Sequence, residues 1–180
     1  MRAVGLTADE VVLTPYSHAH DARTVAWLNS EELQDSFGIT QSVTLESHRS
    51  WMVSAKDTIV WAICVPEGRH CGNVLLHCNW RHRSAYFQIY LGDKTARGRG
   101  VGKRTLQAVL DHAFQELELH RVWLHTLQGS AQAERLYIGA GFVSEGVERE
   151  SILRAGNFSS QTRWAILADE WRQRRGGSRL

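Results

Sequence analysis

The chain is short of several things, and each shortage removes a class of protein. It has only three cysteines, Cys64, Cys71 and Cys78, an odd number with no C-x-x-C pair. A disulfide-stapled scaffold is therefore excluded, and the thiols read as buried and reduced. His70-Cys71 and His77-Cys78 invite a metal site, but on one strand Cys71 and His77 would stand ~20 Å apart, beyond a single ion's reach, so no metal is expected. There are only two prolines, and no internal repeat or low-complexity block. No apolar run approaches a membrane span, and the N-terminus lacks a charged head followed by an apolar core. A cytoplasmic protein with no membrane partner is expected. An excess of one charge is missing too: 21 basic against 19 acidic residues leave a net charge of +2, which argues against nucleic acid as a partner.

What is present is ordinary material for a folded domain. Hydrophobic residues make up 43% and charged residues 22% of 180, enough for one domain with a full core. Val11–Leu13 reads as a first strand, followed by helical stretches through Ala22, Val25, Ala26 and Leu28 and around Glu31–Leu33. Thr44 reads as the N-cap of a helix carrying Leu45, His48, Trp51 and Met52. Strands are expected near Thr58–Val65, Gly72–Asn79, Tyr86–Leu91, Val122–Leu127, Phe142–Ser151 and Thr162–Ala168. Helices are expected through Leu106, Val109, Leu110, Ala113, Phe114 and Leu117, and from about Ser130 to Ile138. This order predicts an α/β fold: a mixed, mostly antiparallel sheet flanked by helices, with a crevice near its centre. The domain is expected to span 1–172, with 173–180 a basic, frayed tail.

The most informative segment is Arg97-Gly98-Arg99-Gly100-Val101-Gly102, between a strand and a helix. A glycine-rich turn that opens a helix presents free backbone N–H groups and the positive end of the helix dipole. Such a turn can cradle a phosphate, with Arg97, Arg99, Lys103 and Arg104 adding charge of the right sign, or it can simply permit a tight helix entry. A P-loop is excluded, because Arg97 stands where its first glycine belongs and Arg104 where its Ser/Thr belongs. A dinucleotide fingerprint is excluded by Lys103 at the third glycine position.

The remaining pattern, R-x-x-G-x-G after a strand, resembles the pyrophosphate loop of the GCN5-related N-acetyltransferases (the GNAT superfamily). A second stretch, from Ser130 to Phe142, resembles the family's N-x-x-A-x-x-L-Y-x-x-x-G-F signature, with Ala133, Leu136, Tyr137, Gly141 and Phe142 in register. Ser130 departs from it, standing where the family usually has Asn near the pantetheine chain. Trp27-Leu28-Asn29, the stretch from Glu46 to Trp51, and the closing stretch from Ile166 to Trp171 are similar to the branch that acetylates ribosomal proteins and nucleotide-linked amino sugars.

The resemblance implies a split between the two central strands, with acetyl-CoA as co-substrate and direct attack by a primary amine. It implies that Arg97, Gly98, Arg99, Gly100, Val101, Gly102 and Lys103 hold the diphosphate. Ser130, Ala133 and Tyr137 would line the pantetheine, and the backbone of Ile89, Tyr90 and Leu91 would bind the acetyl carbonyl through a strand bulge. Tyr137 takes the position of the family's general acid. His125 stands where the ribosomal-protein enzymes have a glutamate base, and an imidazole titrating near pH ~6.5 can accept that proton. His77, or a water chain, is the alternative.

Tyr86, Gln88 and Tyr90 share a strand face and either line an acceptor pocket or merely cover the sheet. Trp27, Trp51 and Trp80 read first as core, with stacking toward an acceptor left open. The acceptor is a small amine, such as an amino sugar or polyamine, or a peptide N-terminus. A homodimer is left open, as is a non-catalytic CoA-binding module of the same fold.

Overall fold

Alternating apolar residues make strands here and three-and-four spacing makes helices, as the sequence predicts. The computed structural model describes residues 3–8 and 10–176. Its eight strands are β1 (Leu6–Ala8), β2 (Val11–Pro15), β3 (Thr58–Cys64), β4 (His70–Asn79), β5 (Ser84–Leu91), β6 (Arg121–Leu127), β7 (Val143–Arg154) and β8 (Asn157–Leu167). They form one sheet in the order β1-β2-β3-β4-β5-β6-β8-β7. All neighbours are antiparallel except β5 and β6, which are parallel. The mixed, mostly antiparallel sheet is thus as expected; the short β1 was not.

The helices are α1 (Asp21–Leu28), α2 (Glu31–Phe37), α3 (Leu45–Ser54), α4 (Val101–Gln115), α5 (Ala131–Ala140) and α6 (Ala168–Gly176). Thr44 caps α3 as its sequence suggests, its hydroxyl accepting from the Ser47 N–H at 3.0 Å. The apolar stripe of α4, with Leu106, Val109, Leu110, Ala113 and Phe114 all buried, packs on one sheet face over β1, β2 and β5. That helix stops at Gln115, short of Leu117, which nevertheless packs against the core. α5 lies beside α4. α1 and α3 pack together over the other face.

β3 is buried along nearly its whole length, because it has helices on both sides. Cys64, Cys71 and Cys78 are free and buried. No helix among the described residues is long and apolar enough to cross a membrane.

Two expectations need correction. The segment from Gln173 does not fray at once: α6 runs to Gly176, held by Arg174 Nη2 donating to the Gly139 carbonyl (3.0 Å) and by Arg175 pairing with Asp111 (2.7 Å). Residues 177–180 lie outside the described residues. And the register of β5 on β4 runs from Asn79↔Ser84 to Gly72↔Leu91 without a shift, so the expected bulge at Ile89–Leu91 is not seen there.

The opening comes from the other edge of β5. Its pairing with β6 is confined to Ser84↔Arg121, Ala85↔Val122 and Tyr86↔Trp123. Beyond Tyr86 and Trp123 the two strands part, and the centre of the sheet opens as a wedge toward the end of β5.

Candidate active site

The wedge is flanked by the starts of two helices. α4 begins after the loop that follows β5, and α5 begins shortly after β6 ends. In the loop, Gly98 (φ +73°) and Gly100 (φ +77°) adopt left-handed backbone conformations that side chains resist. Gly100 caps α4 with no side chain, and the first turn contains no acidic residue. The opening amides of Val101, Gly102 and Lys103 therefore have no intrahelical acceptor, and the dipole's positive end is unopposed. Gly98, Arg99, Gly100 and Lys103 are exposed around them. This donor set suits a diphosphate.

Arg97 does not join it. Its Nε and Nη2 donate to the Leu91 carbonyl at 3.1 and 2.7 Å, and its Nη1 pairs with Glu32 of α2. Its guanidinium is consumed in tying the end of β5 to α2, so it adds no free donor to the loop. Arg104 is likewise turned back, donating to the Arg99 carbonyl at 2.7 Å.

On the α5 side, Ser130 starts the helix without capping it through its side chain, and its hydroxyl makes no hydrogen bond among the described residues. Tyr137 lies two turns further on, 8% exposed, its ring against Phe142. Burial, and to a lesser extent the neighbouring Tyr86 phenol, push its pKa above the ordinary tyrosine range. Its hydroxyl also has no hydrogen-bond partner among the described residues. Tyr137 thus presents a protonated phenol beside Tyr86, where β5 and β6 separate.

Around Tyr86, the face away from α4 carries a row of rings. His77 stacks on Tyr86 (centroids 5.8 Å), and Trp123 and His125 of β6 approach it at 4.6 and 5.7 Å. Both nitrogens of His77 are engaged, Nδ1 with the Thr58 hydroxyl (2.9 Å) and Nε2 with Gln88 Oε1 (2.8 Å). His125 Nε2 lies 3.1 Å from Glu148, which also pairs with Arg163 at 3.0 Å. His125 Nδ1 has no partner among the described residues.

Beyond Gln88 the same face opens into a cleft of about 460 Å3 between α1, the α2–α3 connection, α3 and strands β3–β5. Gln88 and Tyr90 line it, so this β5 face does more than cover the sheet. Ile89 and Leu91 point to the opposite face, against the core. Trp51 also lines the cleft and is 39% exposed, whereas Trp27 packs against His70 and Trp80 donates to Asp57 (3.0 Å) outside it.

The cleft floor is polar but internally satisfied. The Asn73 amide donates to Thr24 Oγ1 (2.8 Å) and to the Tyr90 hydroxyl (2.7 Å). The Tyr16 hydroxyl donates to Asp21 (3.2 Å) and lies 2.9 Å from His48 Nε2. Burial alone would raise the Asp21 pKa, but hydrogen bonds from Arg49, His18 and Tyr16 outweigh it and hold the pKa below the usual range. Burial lowers the His48 pKa, with Asp21 opposing only in part. Tyr16, Thr24 and Asn73 carry no sequence motif, and the Glu46–Trp51 stretch that contains His48 gives it no role in a cleft; only the fold brings the four together.

The comparisons with known proteins agree with this geometry. Residues 10–143 match the family model described as the acetyltransferase (GNAT) domain. The chain is similar to spermidine N(1)-acetyltransferase of Vibrio cholerae, 33% identical over 56% of this chain and 57% of that protein. It is also similar to YdaF of Bacillus subtilis, which carries a ribosomal N-acetyltransferase name, 26% identical over 58% and 57%. The matched stretch spans little more than half the length of these curated relatives.

In fold it is similar to the crystal structure of spermidine N-acetyltransferase from Vibrio cholerae in complex with CoA and spermine. That likeness has a TM-score of 0.85 at 22% identity, over 91% of this chain and 98% of that one. With its parted central strands and glycine-capped helix, and with the family model matched along most of its length, the chain belongs to the GNAT acetyltransferase family.

Proposed function

We propose that the protein moves an acetyl group from acetyl-CoA to a primary amine by direct attack in a ternary complex, in the cytoplasm. The observation that carries this reading is the wedge between β5 and β6, with free amides at its mouth and the buried Tyr137 phenol within electrostatic reach of Tyr86, the last residue of β5 paired with β6. Acetyl-CoA supplies the activated thioester. The amides from Gly98 to Lys103 hold its diphosphate, with Arg99 and Lys103 adding charge. The edge of Phe87–Leu91 that β6 leaves unpaired, together with Ser130 and Ala133, lines its path, and free N–H groups of that edge polarise the carbonyl.

The amine nitrogen forms the new C–N bond, and the C–S bond breaks toward sulfur. Tyr137 is the general acid. Because burial disfavours the phenolate, it first donates a hydrogen bond to the departing sulfur, and the proton follows. His125 takes the proton from the amine, through Nδ1 or a bridging water; of the two imidazoles against Tyr86, it alone has a nitrogen without a partner among the described residues. The relatives' names point to spermidine and ribosomal proteins as acceptors.

The test is thiol release from acetyl-CoA with a panel of amines. Tyr137→Phe should lower kcat by about 100-fold or more, while CoA affinity changes by less than about two-fold. Wild-type turnover by that variant would refute the role of Tyr137. His125→Ala should lower kcat and alter the pH–rate profile, and an unaltered profile would remove it as base. CoA binding without turnover of any amine would instead make the protein a CoA-binding module.

A further inference from the structure

The cleft beside Gln88 carries information about the acceptor that the relatives' names do not. It opens on the face of β5 opposite α4 at Gln88 and Tyr90, and Gln88 lies two residues along that face from Tyr86, so an amine presented there meets the wedge from the side away from α4. Its walls are mostly apolar, contributed by Leu28, Phe37, Val43, Met52, Val60 and Leu75, with Trp51 at one side. No carboxylate among the described residues lines it.

The carboxylates on the helices that wall the cleft are engaged or turned away. Asp21 is capped by Arg49 (2.7 Å), His18 (3.1 Å) and the Tyr16 hydroxyl (3.2 Å). Glu32 pairs with Arg97 and with Lys94 (3.5 Å), and Asp35 pairs with Arg154. Glu31 and Glu46 are exposed and line no part of the cleft. The titratable groups that do line it are held neutral by burial, which lowers the His48 pKa and raises those of Tyr16 and Tyr90. Thr24, Asn73 and Tyr90 satisfy one another and need no charged ligand.

A polyamine entering this space would set its distal ammonium groups against apolar walls, with no carboxylate among the described lining residues to pair with them, at an electrostatic cost. An apolar body would instead gain in proportion to the apolar area it buries. The volume, about 460 Å3, suits a ring or short alkyl chain. We propose that the acceptor is a primary monoamine carried on an uncharged, apolar body, of the arylalkylamine or alkylamine class, whose body fills this cleft while its amine faces the wedge. The proposal rests on the acetyltransferase reading above and narrows it.

The experiment compares kcat/KM for phenethylamine, hexylamine and spermidine at saturating acetyl-CoA, with CoA affinity measured separately by calorimetry. The monoamines should exceed spermidine by about ten-fold or more. Spermidine turned over as well as or better than both would overturn the proposal and leave the acetyltransferase reading standing. No turnover of any amine would sink both.

A carboxylate is then placed in the wall. Leu75→Glu should lower phenethylamine kcat/KM by about ten-fold and raise that of spermidine, at unchanged CoA affinity. Val43→Glu, in the connection between α2 and α3, should shift the same ratio if Leu75→Glu does not fold. An unchanged ratio in a folded variant would show that the cleft does not hold the acceptor.

Discussion

The two sides of the wedge are built by different means. The donor side comes from one nearly continuous stretch, β5 through α5, and works through backbone: two left-handed glycines, free amides and a parted strand edge. The acceptor side is assembled from α1, α3, β3, β4 and β5, and works through side chains that satisfy one another in a buried polar floor. Backbone recognition of a phosphate tolerates little variation in local sequence, because it needs particular φ values. A side-chain cavity can change its chemistry residue by residue while its walls stay in place. On the proposed function, the difference puts specificity on the acceptor side and constancy on the donor side.

Removing Asp21 is the strongest way to break this division. Asp21→Ala would leave Tyr16, His48 and Arg49 without their shared acceptor, at a cost of about 3 kcal/mol, discounted because Arg49 is half exposed. Chemical denaturation should show that loss. Calorimetry should find CoA affinity intact at a temperature where the variant is folded; a parallel loss of CoA affinity would mean that the two sides are one unit.

Arg97 tests the other side. Since its guanidinium bonds the Leu91 carbonyl and Glu32, Arg97→Ala should cost about 1.5 kcal/mol of stability. CoA affinity should fall by less than about three-fold, whereas a phosphate-gripping arginine would lose ten-fold or more.

The smallest effect is pH-dependent. His48, His70 and His112 are buried, and burial lowers the pKa of each below the ordinary 6.5. As pH falls through that value the unfolded chain takes up protons that the folded chain refuses. Their stability contribution is therefore complete above about 6.5 and is lost toward the depressed folded values, by on the order of 1 kcal/mol. Thermal melts between pH 7.5 and 5 should show Tm falling on the acid side, and CoA binding should not follow it wherever the protein remains folded.

The same division explains what could be read from the chain. The glycine loop, the amphipathic α4 stripe and the stretch from Ala133 to Phe142 are local patterns, so the sheet and its split were legible. The direction of Arg97 was not, because its partner Glu32 is far away in sequence. Nor was the cleft, since Tyr16, Thr24, His48 and Asn73 are polar residues with no shared spacing. β1 was missed because three residues carry too little alternation to stand out. The basic segment after Trp171 looked solvated on composition alone; Asp111 and the Gly139 carbonyl give its arginines partners that composition cannot show.

The three residue pairs that join β5 to β6 also set how the protein should breathe. With so little pairing across its middle, the sheet is two half-sheets sharing a short seam, and the amides of Phe87–Leu91 on the wedge side lack the protection that a full ladder gives. They should exchange with deuterium faster than those of β3, without global unfolding, and slow once a pantetheine chain supplies their missing partner. On the proposed function, the donor would complete the sheet.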